Sequence, residues 1–162
     1  MGILSAIANA AAQWRANRHH AKYSLRTGEP WPPADAAAFV AEVEASGLFE
    51  SVDVVPVEPP RLIDLHLEAP TGESFIVMVV DGYHACRVFF EAYVFDWVPT
   101  CLVLEFLRAV MSGEVEVARE GGHVVLGVPL AGEGTWEESR VFRGEFEPWE
   151  ARAMARDRAP GH

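Results

Sequence analysis

The sequence predicts an α+β domain: an antiparallel sheet with its helices packed mainly on one face. Three observations lead to this class. Short strand-like segments follow one another through tight turns, which forces neighbouring strands to run antiparallel. Segments with helical periodicity precede these strands and interrupt them. The chain has 162 residues, which is enough for a single domain with its own hydrophobic core.

Two helices are predicted before the first strand. In residues 1–27 the apolar side chains recur at helical spacing and the cationic ones fall largely away from them, so we expect a basic amphipathic helix. The stretch GEPWPP then breaks this helix, because three prolines stiffen it. Residues 34–47 follow as a second helix, with Asp35 near its positive end and Gly47 as its stop.

A meander of four strands is predicted next. FESVDVVPV is the first and is placed at a sheet edge by Pro56, and RLIDLHLE is the second, with strict alternation. FIVMVV is apolar on both faces, which is typical of a central, covered strand. The Asp81-Gly82 dipeptide favours a tight hairpin. ACRVFFEAYVF is then predicted as one returning strand that ends at DWVPT.

The remaining segments are predicted as a helix, a hairpin, a possible further strand and a last helix. CLVLEFLRAVMSG is apolar nearly all round, which indicates a buried helix. EVEVARE and HVVLGVPL form a hairpin, AGEGTW a loop and ESRVFRGEF the further strand. Pro148 opens the last helix. The chain is thus divided into the N-terminal helix (1–27), one acidic domain (34–156) and a disordered tail (157–162).

The charge of the chain is strongly uneven. The net charge of −11 combines +4 in residues 1–26 with −17 in residues 27–150 and +2 in residues 151–162. An acidic body repels nucleic-acid phosphate and anionic lipid, so neither nucleic acid nor a membrane is expected as its partner. It attracts a basic protein surface, and the alternative is that the acidic residues serve only solubility.

The basic N-terminal segment has three interpretations. It folds back onto its own acidic domain, it pairs with a partner or a second copy, or it lies on a membrane surface. Its docking residues are expected to be Trp14, Arg15, Arg18 and Lys22. Its stripe is mostly alanine, which gives weak membrane affinity. No signal peptide or membrane-spanning segment is predicted, so a cytoplasmic location is expected.

The stretch VVDGYHACRVFF places Asp81, His84 and Cys86 within six positions. The geometry of the turn is enough to explain Asp81 beside Gly82. His84 and Cys86 lie two apart on a predicted strand and form a candidate nucleophile and base. No helix N-terminus or basic cluster is predicted nearby to lower the thiol pKa. A buried cysteine and a histidine at the sheet rim are therefore favoured.

A second catalytic candidate is the row of Asp64, His66 and Glu68 on the polar face of one strand. Such a row supports acid–base chemistry if it lines a pocket, and otherwise it is a solvated face. No metal site is predicted, because the histidines and cysteines lack ligand spacing. No cofactor is predicted, because phosphate- and dinucleotide-binding motifs are absent. The sequence favours a protein that is not an enzyme.

Aromatic residues indicate a binding surface on the strand that runs from Cys86 to Trp97. Both of its predicted faces are apolar, so it is either covered on both sides or it meets another chain. The residues predicted to bind a partner, with a homodimer as one outcome, are Phe89, Tyr93, Phe95, Trp97, Trp136, Glu137 and Glu138.

The order of the elements, the small size and the acidity resemble those of small bacterial secretion chaperones and of immunity proteins, without a shared motif. The resemblance implies an inhibitor or a chaperone. The sequence therefore predicts a non-enzymatic domain that binds a basic protein through an acidic surface. Two alternatives stay open: a small enzyme that uses His84 and Cys86 or the Asp64, His66 and Glu68 row, and a peripheral adaptor docked by the N-terminal helix.

Overall fold

The computed structural model describes residues 31–59 and 61–157. Within them the chain forms three α-helices and two antiparallel sheets, one of five strands and one of three. The predicted α+β class is thus confirmed. The predicted N-terminal helix at 1–27 lies outside the described residues, as do residues 158–162 of the predicted tail. No helix in the described part of the chain is long and apolar enough to cross a membrane.

The first half of the described chain forms one helix and the larger sheet. Its elements are α1 (Ala36–Ala45), β1 (Ser51–Glu58), β2 (Leu62–Glu68), β3 (Ser74–Val80), β4 (Ala85–Phe90) and β5 (Tyr93–Pro99). The strands pair in chain order, so β3 is central, as its apolar sequence predicts. β1 is an edge strand, as Pro56 predicts, because proline cannot donate a ladder hydrogen bond.

The second half contributes the smaller sheet and two helices. A short 3₁₀ turn (Thr100–Leu102) leads into α2 (Val103–Ser112), β6 (Glu116–Glu120), β7 (His123–Leu130), β8 (Gly134–Val141) and α3 (Pro148–Asp157). β7 lies between β6 and β8. β8 begins inside the stretch predicted as a loop, and Asp157, assigned to the tail, is the last residue of α3.

The predicted returning strand is two strands, so the meander has five members rather than four. Phe90 pairs with Tyr93, which leaves Glu91 and Ala92 as a two-residue loop. Glu91 adopts a left-handed φ of 51° to close it. Glu-Ala is not a typical turn dipeptide, and strongly strand-forming residues flank it on both sides. The sequence pattern therefore hides the reversal, and β5 continues through DWVP to Pro99.

The inner face of the five-stranded sheet lies at the centre of the core. Leu65, Leu67, Phe75, Val77 and Val88 are at most 1% exposed. Buried side chains from all three helices and from the smaller sheet join the same cluster. Each fully buried side chain of this size stabilises the fold by about 1.5–3 kcal/mol relative to its exposed state.

The turn between β3 and β4 fixes the start of α1. Asp35 accepts a hydrogen bond from the backbone N–H of Ala38, and Asp81 accepts one from that of Ala36, both at 2.9 Å. The backbone of Ala34 exchanges two further hydrogen bonds of 2.8 Å with Gly82 and Tyr83. Asp81 therefore caps a helix as well as forming a turn, and the segment before α1 is held at this end of the sheet.

A buried carboxylate holds α3 against both sheets. Glu150 is fully buried and accepts hydrogen bonds from Tyr93 Oη at 2.6 Å and Arg140 Nε at 2.7 Å, while Arg140 Nη2 pairs with its other oxygen. It also accepts from the backbone N–H of Glu147 at 2.8 Å. Burial raises the pKa of Glu150, but the hydrogen bonds from Arg140, Tyr93 and Glu147 outweigh it, so the pKa lies below its ordinary value.

Candidate interaction surface

Cys86 and His84 are not arranged as a nucleophile and its base. Cys86 is buried, and its Sγ donates to the backbone oxygen of Val98 at 3.4 Å. Burial raises the pKa of this thiol far above its ordinary value, which disfavours the reactive thiolate. His84 precedes β4, and its ring lies 4.5 Å from that of Tyr83 and 6.2 Å from that of Trp31. Among the described residues, no hydrogen bond joins the histidine to the thiol.

Asp64, His66 and Glu68 share one face of β2, as predicted, but they do not converge. Alternate residues of a strand lie about 7 Å apart, which is too far for direct proton transfer between them. His66 and Glu68 are exposed, and Glu68 accepts a hydrogen bond from Ser74 Oγ at 2.7 Å. Residues 31–59 and 61–157 contain no group of three or more histidine, cysteine and acidic side chains that could hold a metal ion.

Several residues predicted to bind a partner lie in the core. Tyr93 and Phe95 are each 1% exposed, Trp136 is 4% exposed, and Glu138 is also buried. One regular strand from Cys86 to Trp97 would put Phe89, Tyr93 and Phe95 on the same face, but the turn at Glu91 and Ala92 restarts the alternation. Tyr93 and Phe95 consequently face inward, and the core residues cannot contact a partner while the domain is folded.

The other predicted residues are accessible. Phe89 and Val94 pair across β4 and β5 on the face of the sheet opposite the core. Trp97 is half-buried near the same face, and Glu137 is exposed on β8 of the smaller sheet. Phe89 and Trp97 therefore remain candidates for a binding surface on the larger sheet, whereas Glu137 belongs to another region.

This second face of the larger sheet, which we call the outer face, has an acidic half on β1 and β2, where Val55 and Leu62 are also present, and an apolar half on β3, β4 and β5. One row in register crosses all five strands: Asp53, His66, Ile76, Phe89 and Val94. The row begins with charged and polar side chains on β1 and β2. It continues with half-buried or exposed apolar ones on β3, β4 and β5.

The neighbouring row of the outer face has mixed chemistry. It consists of Val55, Asp64, Met78 and Arg87 in register. Arg87 forms an ion pair with Asp96 at 2.5 Å, so its charge is already balanced. Asp64 has a buried Oδ1 with no hydrogen-bond donor among the described residues. An unsatisfied carboxylate oxygen is costly, so a donor or cation placed against Asp64 would be stabilising.

A shallow pocket of about 290 Å³ opens on the outer face beside the β3–β4 turn. Its lining includes Met78, Val80, Tyr83, Arg87 and Trp97. A pocket of this size is at the lower limit for small-molecule sites, and one large apolar side chain would fill much of it.

Backbone geometry brings Trp97 to this pocket. Asp96 and Trp97 together lie opposite Arg87, which makes a β-bulge in β5. Trp97 has a φ of 64°, a left-handed conformation that is strained for a bulky residue. Bulges and strained residues are frequent where a side chain is redirected towards a ligand. Trp97 is predicted as a regular strand residue, since a bulge without glycine or proline leaves no local signal in the sequence.

Comparison with known proteins does not assign this chain to a family. Neither a known protein family, nor a curated protein, nor a solved structure matches this chain.

Proposed function

We propose that this domain binds a basic protein, and that its outer face is the binding surface. The observation that carries the proposal is the joint presence of an apolar half and an acidic half on one accessible sheet face. A single surface of this kind matches an amphipathic segment that has an apolar stripe and a basic flank. Neither half would select such a segment alone.

The charge of the domain supports a basic partner. Residues 31–157 contain 23 acidic and eight basic residues, a net charge of −15. Among residues whose burial is described, Glu138 and Glu150 are the buried acids, and the other carboxylates are partly or fully accessible. Such a surface attracts a basic protein over a distance of about one Debye length, roughly 8–10 Å, and speeds its association.

The dimensions of the outer face favour a helix or an extended segment as the bound element. Five strands at a spacing of about 4.8 Å and seven residues at about 3.3 Å give a face of roughly 20 Å by 20 Å. This is about 400 Å², half of the roughly 800 Å² that each partner contributes to a standard interface. One amphipathic helix can cover such an area, and a broad globular surface would need more.

Strand-to-strand pairing with a second copy is less favoured as the mode of binding. The edge strand β1 carries Pro56 and the exposed acids Asp53 and Glu58, and these features protect sheet edges from pairing. The homodimer predicted from the aromatic strand stays a prediction, and the inward position of Tyr93 and Phe95 removes two of the residues on which it rests.

Immunity proteins and secretion chaperones, the two classes that the order of the elements resembles, both fit this proposal. An immunity-protein-like inhibitor and a secretion-chaperone-like protein each need a folded binding surface, and neither needs a catalytic centre. The catalytic alternatives lack a comparable basis, because Cys86 is buried with a raised pKa and the Asp64, His66 and Glu68 row does not converge.

Capture of partners by the full chain tests the proposal. The immobilised wild-type chain, the Ile76→Asp variant and the Val141→Asp variant would be incubated with one cell extract at low and at high salt. Ile76 lies at the centre of the outer face, whereas Val141 is 52% exposed at the end of β8. Basic proteins should be enriched on wild type and on Val141→Asp, be lost from Ile76→Asp, and dissociate as salt rises. The same proteins on all three chains would contradict the proposal.

A further inference from the structure

We propose that the outer face recognises two groups on one helix of its partner protein. A large apolar side chain fills the pocket beside the β3–β4 turn, and an arginine or lysine seven residues away pairs with Asp64. This inference rests on the proposed function, because it takes the outer face to be the surface that binds a basic protein. It adds which positions of the partner the face selects.

The pocket is suited to an apolar side chain rather than to a charged one. The two charged residues of its lining, Arg87 and Asp96, pair with each other at 2.5 Å, so neither offers an unbalanced charge. The other lining residues are apolar, aromatic or sulfur-containing: Met78, Val80, Tyr83, Ala85, Cys86 and Trp97. A pocket of about 290 Å³ with such a lining accepts one large apolar side chain, such as phenylalanine.

Asp64 is suited to a cation. Its Oδ1 is buried and has no hydrogen-bond donor among the described residues, and its cross-strand neighbours Val55 and Met78 have no side-chain donor to offer. Asp53, two positions before Val55 on β1, adds a second negative charge nearby. Asp64 as a whole is only partly buried, so a side chain of a partner can approach it. A guanidinium or ammonium group there would form a charge-assisted hydrogen bond.

The register of the strands sets the distance between these two features. Asp64, Met78 and Arg87 form one row across β2, β3 and β4. Because Met78, Arg87 and Trp97 line the pocket, its centre lies about two strand spacings, roughly 10 Å, from Asp64. Seven residues of an α-helix extend about 10.5 Å and return to the same side of the helix. In an extended chain about three residues cover this distance, but they point to opposite faces, so a helix lying across the strands is favoured.

Two helical peptides of identical composition test the spacing. Both are rich in alanine and have a central phenylalanine, with an arginine on each side because the sheet does not fix the direction of the helix. The arginines lie seven residues from the phenylalanine in the seven-spaced peptide and five in the five-spaced peptide, where they point away from it. Fluorescence anisotropy of each labelled peptide with the full chain measures binding. The seven-spaced peptide should bind about tenfold more tightly, since only its arginine reaches Asp64 while the phenylalanine fills the pocket.

Substitutions in the full chain assign the effect to each feature. Asp64→Asn should lower the affinity of the seven-spaced peptide to that of the five-spaced one. Glu137→Gln removes one exposed acid on β8, away from the outer face, and should keep the tenfold difference. Tyr83→Ala removes part of the pocket wall and should weaken both peptides. Tyr83 is 37% exposed, so this variant should fold, which circular dichroism checks for all three.

The outcomes separate this inference from the proposed function. Equal affinities of the two peptides, a difference that survives in Asp64→Asn, or no binding of either peptide would overturn the inference. In each of these cases, basic proteins that wild type captures and Ile76→Asp loses would still support the proposed function. A difference that disappears in Asp64→Asn and persists in Glu137→Gln supports the recognition of two groups on one helix.

Discussion

The two faces of the five-stranded sheet are formed by alternate residues of the same strands, yet they differ in chemistry and burial. On β3, Phe75, Val77 and Val79 face inward and are at most 1% exposed. Ile76 and Met78 alternate with them on the outer face and are half-buried. Helices and a second sheet cover the inner face, whereas no element of the described chain provides a comparable layer over the outer one.

The packing of the core accounts for the apolar residues on the inner face of the sheet. It does not account for those on the outer face. An antiparallel sheet with one covered face is expected to alternate apolar and polar side chains. β2 follows that rule, with Asp64, His66 and Glu68 outside. β3 departs from it, because its outer side chains are apolar too. Apolar surface beyond what the core needs is typical of an interaction site.

The largest contrast between the faces should appear in adjacent substitutions on β3. Phe75→Ala should lower the free energy of unfolding by about 3–5 kcal/mol, because it leaves a cavity among fully packed side chains. Ile76→Ala should lower it by about 1 kcal/mol or less, because the side chain is half-exposed. Urea denaturation of both variants measures the difference. Equal losses would mean that the outer face is as closely packed as the core.

A second contrast concerns two carboxylates, one inside and one on the outer face. Glu150→Gln should cost about 3 kcal/mol at pH 7, because it breaks a buried pair with Arg140. Asp64→Asn should leave stability unchanged or raise it by up to about 1 kcal/mol, because it removes the charge from a carboxylate whose buried oxygen lacks a donor in the described structure.

The lowered pKa of Glu150 predicts how the stability of the protein changes with pH. The pKa of Glu150 is lower in the folded protein than in the unfolded chain, so its contribution is complete above the unfolded pKa of about 4.3. It is lost as the pH falls through the folded pKa. Glu150→Gln should therefore flatten the acid limb of a stability–pH curve. An unchanged limb would show that Glu150 is not ionised in the folded state.

The two cysteines should differ in reactivity, because one lies in the core and the other is exposed. Cys86 is buried in the core, and Cys101 is exposed. Because burial raises the pKa of Cys86 and excludes reagents, its alkylation at pH 8 should be more than about tenfold slower than that of Cys101. Mass spectrometry of partly alkylated native protein reports both rates. Faster reaction at Cys86 would restore the nucleophile hypothesis for His84 and Cys86.

A smaller effect is expected at the turn that joins β3 to β4. Asp81→Ala removes the hydrogen bond to the backbone N–H of Ala36 and should cost about 1 kcal/mol. Asp35→Ala, which removes the bond to Ala38, is the matched variant and should cost a similar amount. Thermal unfolding followed by circular dichroism measures both. A loss only in Asp35→Ala would show that Asp81 contributes as a turn residue alone.

Local patterns predicted most of the secondary structure because each signal is contained within a few residues. The edge position of β1 followed from Pro56, and the central position of β3 followed from its apolar run. The turn at Glu91 and Ala92 escaped prediction, since tertiary pairing imposes a left-handed conformation there that the residue types do not favour. Because of that one missed turn, Tyr93 and Phe95 face the core, although they were predicted to bind a partner.

The contacts that define the site depend on residues far apart in the chain. Glu150 meets Tyr93 from 57 positions away, and no local pattern predicts that contact. A partial signal exists, because a glutamate two residues after Pro148 occupies the capping position of a helix start. Strict alternation correctly placed Asp64, His66 and Glu68 on one face of β2, although the sequence predicted that row as a catalytic site or a solvated face. The position of the acidic half next to an apolar half follows only from the register of all five strands, which no local pattern predicts.

The most direct test of this account compares aspartate substitutions at the two neighbouring positions Ile76 and Val77, with stability and capture of basic proteins measured on each full chain. We expect Ile76→Asp to remain folded, with a loss of about 1 kcal/mol or less, and to bind at least about tenfold more weakly than wild type. Val77→Asp should unfold the domain, because it buries an unpaired charge. A folded Ile76→Asp chain that still captures the same basic proteins with undiminished affinity would contradict the assignment of the outer face to binding.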